Sequence, residues 1–244
     1  PRARGILPRR HYLAKRSLVS RPPNSNLAGS PFVLLDDARQ DGAVAARLYR
    51  HPSEVVIARQ ADEVLPALKR IEQLSREGQY VAGMLGYEAG LALEPRLAPI
   101  LPNRTGHEPL LWFGAFDRFE TIPADAMEKW LQQNAGPSSP SIGPLEPQIS
   151  PARYRAWFDQ IHNAIEAGDI YQANLTFPLA GPWQGDPIAL YAALRPHARA
   201  GFGGMIHDGD GWLLSFSPEL LFDLQDDQIT VRPMKGTRPR SADP

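Results

Sequence analysis

Two side chains near the C-terminal end of the sequence, Glu219 and Lys235, have the types needed for covalent chemistry. A neutral amine is a nucleophile, and a protonated carboxyl group can hand its proton to a departing hydroxyl. Lys235 precedes Gly236 and Thr237 at the end of a β-rich stretch. A glycine there lets backbone approach a ligand closely, and exposed N–H groups at such a place can hold a carboxylate. The amine is useful only if burial lowers its pKa enough to leave it uncharged. A nearby ionised glutamate acts the other way, so the pair must be separated or must share one proton in the working state. By spacing alone, a solvated turn lysine and an edge-strand carboxylate are the simpler readings of these two residues.

A β-hairpin between the two groups would bring them to one end of a sheet. The apolar run at 220–224 is expected to pair with 228–232 through Gln225, Asp226 and Asp227. An earlier hairpin is expected where Met205, Ile206 and His207 meet Trp212, Leu213 and Leu214 across Asp208-Gly209-Asp210-Gly211. Sequential strands with tight turns imply an antiparallel meander. The glycines at 201, 203 and 204, with no helix after them, read as a turn. Further strands are expected at 32–35, 54–58, 80–86, 110–116 and 175–179. The glycines at 83, 86 and 114 suit strands with close backbone neighbours.

Helix signals are equally local. Val64, Leu68, Ile71 and Leu74 recur at helical spacing over 62–77, with Pro66 placed in the first turn and Gly78 at the stop. Ser150-Pro151 opens a second helix carrying Tyr154, Trp157, Phe158, Ile161 and Ile165 on one face, with Gly168 at its end. Asp186-Pro187 opens a third, running to about 195, and a short helix fits 124–134. The fold expected is α+β, mainly antiparallel sheets with helices packed outside.

The 244 residues are enough for one large or two small domains. Four regions are expected: a disordered basic extension over 1–29, an N-terminal region over 30–135, a Pro/Ser/Gly linker over 136–149, and a last region over 150–244. Residues 1–21 hold seven basic groups and no acid, whereas the body is acidic. An acidic body argues against general nucleic-acid binding. No apolar run reaches the roughly 20 residues of a membrane span, so no membrane association is expected. The absence of cysteine excludes disulfides, thiolate metal sites and cysteine nucleophiles. It is compatible with the cytoplasmic location expected here. The six histidines show no metal-ligand spacing, and neither a phosphate-binding nor a dinucleotide glycine motif occurs. Tyr171, Gln172 and Asn174, after a helix end, suit either a pocket lining or a polar sheet edge.

Four motifs in this order resemble the chorismate-utilising enzymes: Tyr87-Glu88-Ala89-Gly90, the run Gly168-Asp169-Ile170-Tyr171-Gln172-Ala173-Asn174-Leu175-Thr176, Ser217-Pro218-Glu219, and Pro233-Met234-Lys235-Gly236-Thr237 with Arg238-Pro239-Arg240 after it. The resemblance covers about 30–244. It implies a fold like that of anthranilate synthase component I, incomplete here. In that family the residue before Gly-Thr divides two branches. Anthranilate synthase large subunits typically carry alanine, and aminodeoxychorismate synthase component I typically carries lysine. Lys235 therefore implies conversion of chorismate and ammonia to 4-amino-4-deoxychorismate, toward 4-aminobenzoate and folate. The resemblance gives Lys235 the attack on chorismate and Glu219 the departure of its hydroxyl, with Gly236 and Thr237 binding a substrate carboxylate. Mg2+ is implied as cofactor, with its ligands in a further C-terminal stretch, so little activity is expected from this chain alone. A glutamine amidotransferase subunit is the implied ammonia source. Anthranilate or salicylate-type synthesis is the alternative within this chemistry. A non-catalytic module that docks an amidotransferase is the alternative from another class. Relatives that bind tryptophan carry a Leu-Leu-Glu-Ser-type and an Asn-Pro-x-Pro-type motif. The corresponding positions, Leu34-Leu35-Asp36-Asp37 and Arg195-Pro196-His197-Ala198, are altered, so no tryptophan site is expected.

Overall fold

The computed structural model describes residues 27–97 and 108–233. In chain order the elements are β1 (Phe32–Asp36), β2 (Ala46–Arg50), β3 (Glu54–Ala58), α1 (Ala61–Arg76), β4 (Tyr80–Leu85), α2 (Ala89–Leu93), β5 (Leu111–Phe116), β6 (Glu120–Ile122) and α3 (Met127–Asn134). They continue with β7 (Ser141–Ile142), β8 (Glu146–Pro147), α4 (Pro151–Ala167), β9 (Leu179–Ala180), β10 (Trp183–Gln184), α5 (Pro187–Ala198), β11 (Phe202–His207), β12 (Trp212–Ser217), β13 (Leu220–Gln225) and β14 (Gln228–Arg232). Every strand pair among these is antiparallel. The class is α+β, as the sequence pattern implies. The chain divides into two compact units, residues 1–130 with 195–244, and residues 131–194.

The first unit contains a five-stranded sheet, ordered β12-β11-β1-β2-β6, and a three-stranded sheet, ordered β3-β5-β4. Strand alternation explains how they stack. Trp112 and Phe116 leave one face of β5 and join Ala82 of β4 in a core with Val33, Tyr49 and Ile206 of the larger sheet. Leu111 and Ala115 leave the other face and join Val64, Ala67 and Leu74 of α1 and Ala89 of α2. The periodic residues of α1 thus supply its buried face. Its stop is a Gly78 with φ +92° after the Glu77 cap. Pro66 lies inside α1, in its second turn rather than its first.

Close approach of backbones fixes two glycines. A Cβ on Gly83 would stand 2.1 Å from the Trp112 carbonyl oxygen, and one on Gly204 would stand 2.3 Å from that of Leu34. The glycines at 203 and 204 accordingly lie within β11, not in the turn expected from their composition. The Asp208–Gly211 turn holds β11 to β12, with Asp208 Oδ1 accepting from the N–H groups of Asp210 and Gly211. Pairing then stops. β13 and β14 form their own two-stranded sheet, so no continuous meander runs from β11 to β14. Ser217-Pro218-Glu219 makes the break, because Pro218 cannot donate to a ladder.

In the second unit, α4 starts at Ser150, whose Oγ accepts from Arg153 N–H, and ends at Gly168 with φ +80°. Asp186 caps α5 by accepting from Ala189 N–H. Residues 136–149, expected as a linker, supply β7 and β8, which pair with β10 and β9. The strand expected at 175–179 is reduced to Leu179–Ala180, and residues 175–178 have no ladder among the described residues. Leu27–Gly29 forms a 3-10 turn with Leu27 buried, inside the stretch expected to be an extension.

Candidate active site

The β13–β14 register decides which residues meet. Leu220 pairs with Arg232, Leu224 with Ile229 and Gln225 with Gln228, with a register shift between Leu220 and Asp223. The first residue of β13 and the last of β14 are therefore partners. Glu219 stands one step outside that pair on one strand and Pro233 one step outside it on the other. Glu219 is exposed. Its N–H donates to Ser217 Oγ at 3.2 Å, and that hydroxyl donates back to the Glu219 carbonyl at 3.1 Å. This small turn fixes the Glu219 backbone beside the hairpin's open end. Lys235, Gly236 and Thr237 lie outside the described residues.

Elsewhere the motifs split. Of Tyr87-Glu88-Ala89-Gly90, Ala89 is fully buried in the α2 core, whereas Tyr87 is 89% exposed. In the second unit, Tyr154, Phe158, Ile161 and Ile165 of α4 line an open groove of about 510 Å3 with Asn174 and Leu175. Asn174 is thus a lining residue, while Tyr171 faces solvent. His207 is buried, stacks on Trp212, and its Nδ1–H donates to the Gly211 carbonyl at 2.9 Å, a structural role.

Sequence reasoning missed a buried ionic cluster in the first unit. Arg195 Nε donates to Asp36 Oδ2 at 2.7 Å, and its Nη2 donates to Asp36 Oδ1 at 3.1 Å and to the Asp37 carbonyl at 3.0 Å. The Asp36 side chain is 1% exposed. Asp37, also buried, accepts from the Arg39 guanidinium and from the Arg39 and Val44 N–H groups. Burial alone would raise the Asp37 pKa, but these donors outweigh it and hold it below the ordinary carboxylate value. The cluster joins Asp36-Asp37 to Arg195, residues far apart in the sequence. No local pattern announces a pair 159 residues apart.

Among the described residues, no group of three or more His, Asp or Glu side chains is placed to hold a metal ion. No helix among them is long and apolar enough to cross a membrane.

Residues 30–244 match the family of chorismate binding enzymes. The chain belongs to that family. It is 28% identical over 181 residues to aminodeoxychorismate synthase component 1 of Salmonella typhimurium, a match covering 66% of this chain and 39% of that protein. It is 33% identical over 118 residues to the component 1 of the same name from Klebsiella aerogenes, covering 47% of this chain and 26% of that protein. It is 28% identical over 191 residues to anthranilate synthase component 1 of Thermus thermophilus, covering 67% of this chain and 41% of that protein. Matches to these relatives span about two fifths of their length or less. The family resemblance drawn from the four motifs is thereby shown.

Proposed function

We propose that this chain carries part of an aminodeoxychorismate synthase component I, with Lys235 as nucleophile and Glu219 as general acid. The observation that supports it most is the Leu220–Arg232 pair, which sets Glu219 beside Pro233, two residues before Lys235. In the proposed reaction the Lys235 amine attacks chorismate at C2. The ring double bonds shift, and the C4 hydroxyl leaves as water with the proton supplied by Glu219. Ammonia then adds at C4, the double bonds shift back, and the C2–N bond to Lys235 breaks. The sum is chorismate plus ammonia giving 4-amino-4-deoxychorismate plus water. The backbone at Gly236 and Thr237 is proposed to hold a substrate carboxylate. Ammonia is proposed to come from a glutamine amidotransferase subunit, and Mg2+ to be held by residues other than those described. On this reading, residues 30–135 form an N-terminal region of an anthranilate synthase component I-like fold and residues 150–244 the first part of its chorismate-binding region.

Relatives named for anthranilate synthesis match as well as those named for aminodeoxychorismate synthesis, so the lysine must discriminate. In a protein joining this chain to the remaining length of a relative, Lys235→Ala should abolish aminodeoxychorismate formation or divert it to anthranilate. Unchanged product and rate would remove the role given to Lys235. We further propose that the chain does not bind tryptophan. Asp36 and Arg195, from the two altered motifs, bind each other at 2.7 Å in the first unit. A calorimetric titration showing saturable heat with tryptophan would refute this.

A further inference from the structure

Between β12 and β13 the chain has two residues, Pro218 and Glu219, that belong to no strand. Ser217 closes β12 as the ladder partner of Phe202, and Leu220 opens β13 as the partner of Arg232. Glu219 thus sits on the step between two separate sheets and belongs to neither ladder. Pro218 and Glu219 are both exposed, so burial does not hold the step. The proline ring fixes its own φ, but the torsions on either side of the Glu219 Cα stay free to turn. The Ser217 side chain restrains them. Its hydroxyl accepts from the Glu219 N–H at 3.2 Å and donates to the Glu219 carbonyl at 3.1 Å. A hydroxyl carries one proton and two lone pairs, so it can do both at once. Each bond holds the peptide on one side of the Glu219 Cα, and together they set the direction in which its Cα–Cβ bond leaves the backbone. The hydroxyl is itself anchored, because Ser217 is half-buried and pairs within the five-stranded sheet.

We infer that Ser217 is a positioning residue for the general acid: its hydroxyl aims the Glu219 side chain by holding both peptides that flank the Glu219 Cα. The inference rests on the acid role proposed for Glu219. It asks more of Ser217 than ending a strand. Serine hydroxyls commonly turn a chain locally. A turn with no further role would matter equally whether or not an acid stands at 219. A general acid works only within hydrogen-bond reach of the atom it protonates, where it contributes about 10²–10⁴-fold. A misplacement of about 1 Å can cost roughly a hundredfold. Removing the Ser217 hydroxyl leaves the Glu219 carboxyl present but no longer aimed.

The first measurement uses this chain by itself. Amide hydrogen exchange at Glu219, read by NMR, should be about threefold or more faster in Ser217→Ala, with the amides of β11 and β12 unchanged. The side chains at 218 and 219, which set the intrinsic rate of that amide, are the same in both. Equal rates would show that the hydroxyl does not hold this N–H and would overturn the inference. The second measurement uses a protein joining this chain to the remaining length of a relative, as in the Lys235 test. Ser217→Ala should lower kcat about tenfold with KM changed less than about twofold, since the hydroxyl is engaged with backbone rather than with substrate. Ser217→Thr keeps the hydroxyl and should return kcat to within about threefold of the parent. In a Glu219→Gln background, Ser217→Ala should change kcat by less than about twofold, because no acid is left to aim. An equal fall in both backgrounds would make Ser217 purely structural, overturning the inference while leaving Glu219 as the acid. A Glu219→Gln protein as fast as the parent would instead refute the acid role, and the inference with it. The melting temperature of Ser217→Ala should stay within a few degrees of the parent, because the step is exposed. A collapse of that temperature, with no recovery of kcat in Ser217→Thr, would also overturn the inference.

Discussion

Replacing Arg195 by methionine removes three hydrogen bonds from one buried place, two to the Asp36 carboxylate and one to the Asp37 carbonyl. Methionine roughly keeps the length and apolar stem of the side chain, so lost charge dominates over lost packing. Stripping a buried carboxylate of its cation typically costs about 3–5 kcal/mol. The Asp36 side chain is 1% exposed, which argues for that range, but the Arg195 side chain is 17% exposed, which admits some water and favours its lower end. We therefore expect a loss of about 3 kcal/mol. With a urea slope of about 2 kcal/mol/M, this lowers the unfolding midpoint by roughly 1.5 M. Urea titration followed by tryptophan fluorescence measures it, since Trp112 reports the core of the same unit. The double variant Asp36→Leu/Arg195→Met should recover to within about 1 kcal/mol of the parent, because removing both charges also removes their desolvation cost. A single-variant loss below about 1 kcal/mol, the range of exposed ion pairs, would show that Arg195 does not neutralise a buried Asp36 charge.

Other consequences are equally open to measurement. Gly204→Ala should destabilise by about 1–3 kcal/mol in the same titration, since its methyl would meet the Leu34 carbonyl and β11 must shift. Gly83→Ala should do likewise against Trp112, whereas Gly90→Ala, with open space at its Cβ, should not. Because the folded-state pKa of Asp37 is depressed, its stabilisation is present above the ordinary carboxylate pKa of about 4 and is lost as pH falls below it. Urea midpoints between pH 3 and 6 should therefore fall less steeply with acid in Asp37→Asn than in the parent. Ser150→Ala should cost about 1 kcal/mol of α4 stability by removing the bond to Arg153 N–H, read as reduced helical signal on heating.

What was legible in the sequence was local. Ser150, Pro151 and Gly168 mark both ends of α4, and the Glu54–Ala58 strand and the Asp208–Gly211 turn follow from side chains acting on their own backbone. The misreadings share a cause in distant partners. The glycines of β11 look like a turn until the Leu34 carbonyl lies against one of them. Residues 175–178 have strand composition but no ladder among the described residues, and composition alone cannot make one. Of the candidate site, Glu219 is legible from its motif, and the hairpin beside it from alternation and turn residues. The Asp36–Arg195 pair had no signal to read, since a charge's partner across the chain is set by the fold.

The proposed chemistry requires a covalent bond between Lys235 and the substrate ring. In a protein joining this chain to the remaining length of a relative, incubation with chorismate without ammonia, then acid quench and peptide mass spectrometry, should show the Lys235 peptide heavier by chorismate less one water. The adduct should disappear on adding ammonia and should be absent from Lys235→Ala. An active enzyme that never carries this adduct, or that carries it on another residue, would exclude Lys235 as the nucleophile.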